Sequence, residues 1–367
     1  MQAVDACPGD QCKIAAMRNH ALASLKPGRN PVSFLWAFVL LGMLVLSACR
    51  SVGSETPAAQ GTATFTAAAS PPVTQTATPQ HVLLVVPEGI GGLASDRIRT
   101  AVDQLASGTG LLVEEQTSLP AQIDGEYALA IMLYPDQAFL EAARANADLA
   151  FVAIAALDFP AETNLWVIGN QGTGMESASF LAGYIAAMIT PEWRTGAIES
   201  FDSWSGMQLD QAFVNGGAFF CGLCRPKYPP FYTYPASLAM NSLDESAALT
   251  VISTIEEMDL STVWASYEVL QILSRFDLPG RTSFLGESRP ADFRQEAWIA
   301  AVRPAPEQRL AELWGLIRSG APAEQVGIPI VIEDINPSIL TPGKLELARR
   351  VGDELAAGYI DTGAGGE

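Results

Sequence analysis

The chain has 367 residues, 49% of them apolar, which is enough for a sizeable core and for two domains with appendages. Its 40 acidic residues outnumber 21 basic ones for a formal charge of −19, a balance that excludes nucleic acid and a flat seat on anionic lipid as partners. Of its two histidines only His81 lies beyond the amino-terminal segment, so a Ser-His-Asp triad or a His-rich metal site has almost no material. Adjacent acids such as Glu256–Glu257 and Glu333–Asp334 read as solvated faces. No catalytic residues, no metal and no cofactor are expected.

Residues 32–48, VSFLWAFVLLGMLVLSA, follow Arg18, Lys26 and Arg29 and end in small residues, which is the layout of a secretory signal. The run falls at the lower edge of spanning length. Its last residues, Leu46-Ser47-Ala48-Cys49, resemble a bacterial lipobox, and the resemblance implies cleavage before Cys49 and lipidation there. Residues 51–80 repeat Thr, Ala and Pro with Glu55 as their only charge. They cannot bury a core and predict a disordered tether spanning roughly 30 Å by random-coil scaling. Residues 1–48 are thus expected to be the signal and 49–80 the anchored tether, on the extracytoplasmic face of the membrane. In that compartment Cys221 and Cys224, a lone C-G-L-C with no second pair to complete a zinc site, predict a local disulfide.

The folded body starts with a mostly apolar strand at residues 81–87 (HVLLVVP), of the kind buried on both faces of a parallel sheet. The glycine-rich turn that follows matches neither G-x-G-x-x-G nor a P-loop. A helix through Arg97, Ala101 and Leu105 comes next, then strands at 111–115, 127–134, 149–156 and 165–168, with a helix at 137–147. The stretch MESASFLAGYIAAMI predicts a helix, with Phe180, Tyr184 and Met188 at i, i+4, i+8. Ala178, Ala182 and Ala186 make a small stripe for close approach of a sheet, Thr173 and Glu176 stand in capping-box spacing, and Thr190-Pro191 stops the helix. A strand at 195–200, a helix through Leu209, Phe213 and Gly216, and an irregular aromatic stretch at 221–234 follow. A helix over 243–258 with Ser242 and Glu245 in capping-box spacing leads to strands at 262–266, 282–286 and 298–302, with a helix around Leu270 and Leu273. A helix at 306–319, a strand at 328–333 and a helix at 341–358 opened by Pro342 complete the chain.

This alternation predicts mostly parallel, doubly wound sheets in two lobes. Residues 81–168 plus about 303–325 are expected to form lobe 1, and 169–302 plus about 326–362 lobe 2. Ligands of open parallel sheets sit beyond the carboxyl ends of the strands. The loops there supply Glu88, Tyr134, Asp158, Phe201, Asp202, Trp204, Trp264, Ser266 and Glu287. Phe201 or Trp204 could stack on a flat ring, and Glu287 could accept hydrogen bonds from a diol or a ring N–H.

The run E-S-A-S-F-L-A-G-Y-I-A-A-M (residues 176–188) followed by R-T-G-A-I closely resembles a segment of the basic membrane protein lipoproteins, the purine-nucleoside-type substrate-binding proteins of ABC importers. The tail I-N-P-S-I-L-T-P-G-K (335–344), then E-L-A-A-G-Y-I, resembles that family's ending and closing helix. The resemblance covers residues 82 to 362. It implies a bilobed type I periplasmic-binding-protein fold, two doubly wound parallel-sheet lobes, and capture of a small polar metabolite for an ABC permease. Glu287, in Leu285-Gly286-Glu287-Ser288, takes the place of the aspartate in the family's G-x-D segment. The family's D-x-S-F-N type segment reads EGIGGLAS here. A lipid-anchored sensor or interaction module not coupled to transport is the second reading.

Overall fold

The computed structural model describes residues 80–364 apart from 91, 124, 157–158, 161, 170–173 and 201–208. The signal segment, Cys49 and the tether lie outside the described residues.

Two sheets organise the described chain. The first is built from β1 (His81–Val85), β2 (Leu112–Gln116), β3 (Tyr127–Leu133), β4 (Ala150–Ile154) and β5 (Leu165–Ile168), with α1 (Leu93–Ser107) after β1 and α2 (Gln137–Ala145) after β3. The chain then enters the second sheet through α3 (Met175–Ile189), β6 (Thr195–Ser200), α4 (Leu209–Cys221), β7 (Ala236–Met240) and α5 (Glu245–Glu257). It continues with β8 (Thr262–Ala265), α6 (Tyr267–Leu273), β9 (Ser283–Gly286) and β10 (Trp298–Pro304). It returns to the first sheet for α7 (Pro306–Arg318) and β11 (Gln325–Val326), and ends in the second with β12 (Ile330–Glu333) and α8 (Pro342–Ala356). The strand orders are β11-β5-β4-β3-β1-β2 and β12-β10-β9-β8-β6-β7. Every neighbouring pair is parallel except β10 and β12.

Strand alternation decides what each sheet face buries. In the first sheet Val82, Leu84, Ile131, Val152 and Trp166 meet α1 and α7, with Leu310, Leu313 and Trp314 of α7 completing that core. Leu83, Val85, Ala130, Phe151 and Val167 face the other way, onto Phe139, Leu140 and Ala143 of α2. The second sheet repeats the arrangement, with α3, α4 and α8 on one face and α5 and α6 on the other. Each lobe is therefore helix, sheet, helix.

Several local expectations are corrected. The cap of α3 is Gly174, in a left-handed conformation (φ 78°) with no side-chain cap bond, and Thr173 lies outside the described residues. The cap of α5 is Asp244, which accepts from the Ala247 N–H at 2.9 Å, while the Ser242 hydroxyl donates to Asp244. The strands β7 and β11 were not anticipated. The first is an Ala-Ser-Leu-Ala-Met edge with weak strand propensity, and the second has two residues. The segment between α4 and β7 is held by the Cys221–Cys224 disulfide and by Arg194, whose guanidinium donates to the carbonyls of Tyr228 and Pro229.

Candidate functional site

Three crossovers join the lobes, and they meet at one place. A side chain on Gly174, at the entry to α3, would put its Cβ 3.1 Å from Cβ of Pro304, the last residue of β10, and 3.4 Å from Cβ of Ile328, between β11 and β12. The Ala305 N–H donates to the Pro329 carbonyl at 2.8 Å, tying the last two crossovers together. Beside this junction a cavity of about 420 Å³ opens between the lobes, a size ordinary for small-molecule sites.

The carboxyl ends of β3 and β4 supply one wall. Tyr134 and Ala155, the first residues past those strands, both have left-handed backbones (φ 49° and 58°), unusual for residues with a Cβ and of a kind that clusters at functional sites. From the facing lobe come Ser266 and Glu268 after β8, and Glu287 after β9. Ile90, Leu133, Ile154, Met175 and Leu209 make most of the remaining lining apolar.

Beside the junction the same cavity meets an ion network centred on a buried arginine. Arg303 of β10, 6% exposed, donates to both carboxylate oxygens of Glu333 (2.7 and 3.3 Å) and to Glu307 of α7 (2.6 Å). Arg97 of α1 stands 3.9 Å from Glu333. Burial tends to lower the Arg303 pKa, but hydrogen bonds to Glu333 and Glu307 raise it overall. Arg97 is held below the usual arginine value by burial and by the charge of Arg303. Two arginines and two glutamates balance one another across the junction.

Glu287 has no such partner. Its carboxyl makes no hydrogen bond or ion pair with any described residue. Desolvation, reinforced by the charge of Glu268 and opposed by Arg97, raises its pKa to about 7. Tyr134 faces it closely enough that burial, and then the Glu287 charge, raise the phenol pKa as well. An acid whose pKa is higher folded than unfolded binds the extra proton in the folded state. Stability is therefore unaffected below the unfolded value, falls as pH rises between about 4.5 and about 7, and carries the full penalty above that. Glu287→Gln removes the penalty. The ligand-free variant is expected to match the parent at pH 4 and to exceed it at pH 8 by on the order of 2 kcal/mol, part of the effect being screened by water in the open cleft. Urea denaturation at the two pH values reads this directly, and equal midpoints at pH 8 would contradict it.

Of the residues expected at the site, Tyr134, Ser266 and Glu287 line this one cavity. Glu88 does not: it is exposed, although the neighbouring Gly89 and Ile90 line the wall. The expectation for Trp264 is corrected. At 1% exposure it packs in the core under α3, because alternation along β8 turns residues 262 and 264 toward that helix layer. Phe201, Asp202, Trp204 and Asp158 lie outside the described residues. Sequence reasoning missed Arg97, Glu268, Arg303 and Glu307. The one signal for Arg97 was a basic residue one turn into the helix behind a glycine-rich loop. No group of three or more His, Cys, Asp or Glu able to hold a metal occurs among the described residues.

No protein-family model matches the sequence, and no curated protein does. Among solved structures, an ABC transporter solute-binding protein from Aeropyrum pernix K1 superposes with a TM-score of 0.51 at 13% identity, covering 77% of this chain and 93% of that one. A transcriptional activator of the comK gene from Bacillus halodurans matches at TM-score 0.48 and 12% identity, over 77% of this chain and 98% of that one. A periplasmic ABC-transporter solute-binding protein from Actinobacillus succinogenes 130z, with bound D-allose, matches at TM-score 0.48 and 13% identity, over 69% and 96%. At such identities the likeness is one of fold. The two six-stranded, mainly parallel sheets flanked by helices are the type I periplasmic-binding-protein fold.

Proposed function

We propose that the protein is a lipid-anchored receptor on the extracytoplasmic face of the cell membrane, which captures a small ring metabolite by lobe closure and delivers it to an ABC permease. The observation that carries the binding role is the pairing of Tyr134 from one lobe with Glu287 from the other, in a single cavity at the carboxyl ends of the strands. A ligand touching both favours the closed arrangement, and no bond need be made or broken. The lipobox-like Leu46-Ser47-Ala48-Cys49 and the Thr/Ala/Pro tether support the anchor. The likeness of residues 176–188 and 335–344 to the basic membrane proteins supports import and makes a nucleoside the first candidate, a sugar the second. One feature favours a sensor uncoupled from transport: the loop after β1, EGIGGLAS, brings Gly89 and Ile90 to the wall in place of a ligand-holding aspartate.

Thermal-shift screening of the full chain in mild detergent against nucleosides, bases and sugars tests the receptor reading. A ligand at about a hundred times its Kd stabilises the fold by about 2.7 kcal/mol. The expected result is such a shift with a nucleoside, lost in Glu287→Ala. Sugars acting instead would keep the binding role and change the ligand. A folded sample that answers to none of them would favour the sensor.

A further inference from the structure

From the lining of the interlobe cavity we infer that its ligand carries a protonated nitrogen, seated between the Glu287 carboxylate and the Tyr134 ring, with an apolar or ring-shaped body against Ile90, Ile154 and Met175. This rests on reading the cavity as the ligand site, and it departs from the neutral nucleoside and sugar that sequence likeness puts first.

The argument is one of unanswered charge. Arg303 is paired with Glu307 and Glu333, and Arg97 stands 3.9 Å from Glu333, so two cations face two carboxylates at the junction with no surplus of positive charge for an anionic ligand. Glu287 alone is enclosed, ionisable and unmatched by any described residue, in surroundings otherwise mostly apolar. A carboxylate in such a place gains most from a donor that brings positive charge, since charge-assisted hydrogen bonds are stronger and shorter than neutral ones. Tyr134 adds an aromatic face to the same cavity, and a desolvated ammonium is attracted to such a face. Glu268, at the exposed lip, gives the entrance a second negative charge. The surplus of acids over the whole chain, −19, raises the local concentration of cations and not of anions.

Protonation sets the sign of the test. The ionisable or charged groups around Glu287 are Tyr267 and Glu268 on α6, Arg97 on α1, Tyr134 after β3, and Arg303 with Glu307 beyond them. A cation prefers the ionised carboxyl and binds better as pH rises through the neutral range. A neutral acceptor prefers the protonated carboxyl and binds worse.

Matched pairs that differ only in the charged group, tyramine with tyrosol and phenethylamine with phenethyl alcohol, are titrated calorimetrically against the full chain at pH 5 and pH 8. The expected result is that an amine binds about ten-fold tighter than its alcohol at pH 8. The preference should shrink toward parity at pH 5 and in Glu287→Gln, whose unliganded melting midpoint confirms that it is folded. A preference that persists in Glu287→Gln, an alcohol that binds as well as its amine at pH 8, or no binding by either amine would each overturn the inference. Neutral nucleosides or sugars stabilising the protein while both amines fail would overturn it too, and would leave the receptor reading standing.

Discussion

Alanine at Gly183 or Gly216 is expected to destabilise the protein by about 3 kcal/mol, the upper end for an overpacked core, and leucine to prevent folding of the second lobe. The reason is a crossing of two helix backbones with nothing between them. A Cβ at Gly183 of α3 would stand 2.0 Å from the Phe213 carbonyl oxygen of α4, and a Cβ at Gly216 of α4 would stand 1.9 Å from the Phe180 carbonyl oxygen of α3. The obstacles are main-chain atoms, which cannot turn aside as a side chain does, so one helix must move off the other. That movement would strip contacts from Phe180 and Phe213, both at the heart of this core. Urea midpoints of the alanine variants measure the loss. A change under about 1 kcal/mol would mean that the two helices cross less closely than described.

Arg303→Met is expected to cost about 3 kcal/mol, the low end for breaking a buried pair, because Glu307 is orphaned at a buried site while Glu333, with 41% of its side chain exposed, is largely screened by water. Glu307, with 14% of its side chain exposed, loses its closest cation, and Glu333 keeps only the more distant Arg97. The double variant Arg303→Met/Glu307→Gln should recover part of the loss, since the penalty belongs to the orphaned charge more than to the missing contact. Denaturation midpoints of the single and double variants decide it. Strictly additive costs would mean that Arg303 and Glu307 are not coupled.

The alternation of strands and helices was legible because β1, β3, β4 and β5 of the first sheet are mostly apolar runs and the helices between them show periodic faces. The α3 stretch shows both the reach and the limit of such reading. Ala178, Ala182 and Ala186 are all fully buried in the core, as a small stripe packed against a sheet requires. The tightest approach of α3, however, is made to α4 at Gly183, and nothing in its own periodicity names the partner. At the site, Tyr134 and Glu287 could be placed by their positions just past strands. Trp264 was misplaced because it lies within β8, where alternation, not the strand end, decides direction. Arg97, Arg303 and Glu307 escape notice in the sequence, and Glu333–Asp334 reads there as a solvated face although Glu333 pairs with Arg303 and Asp334 with Arg289, because the pairing at the junction depends on three separate crossovers brought to one point. Capping was the least reliable signal, since Asp244 and Gly174 stood beside residues that matched the expected spacing better.

The order of the chain through its two sheets has a consequence for the order in which they can be finished. The first five strands leave the ribosome early, yet Leu310, Leu313 and Trp314, which cover one face of their sheet, belong to α7, and the edge strand β11 follows later still. A nascent chain that has already formed β6 to β10 of the second sheet thus still holds a half-bare first sheet, with unpaired edge and uncovered valines and leucines. Domains generally close as units during synthesis. Here the amino-terminal lobe is begun first and completed nearly last, so a chain released at any point before residue 306 carries a sticky, unfinished face with it.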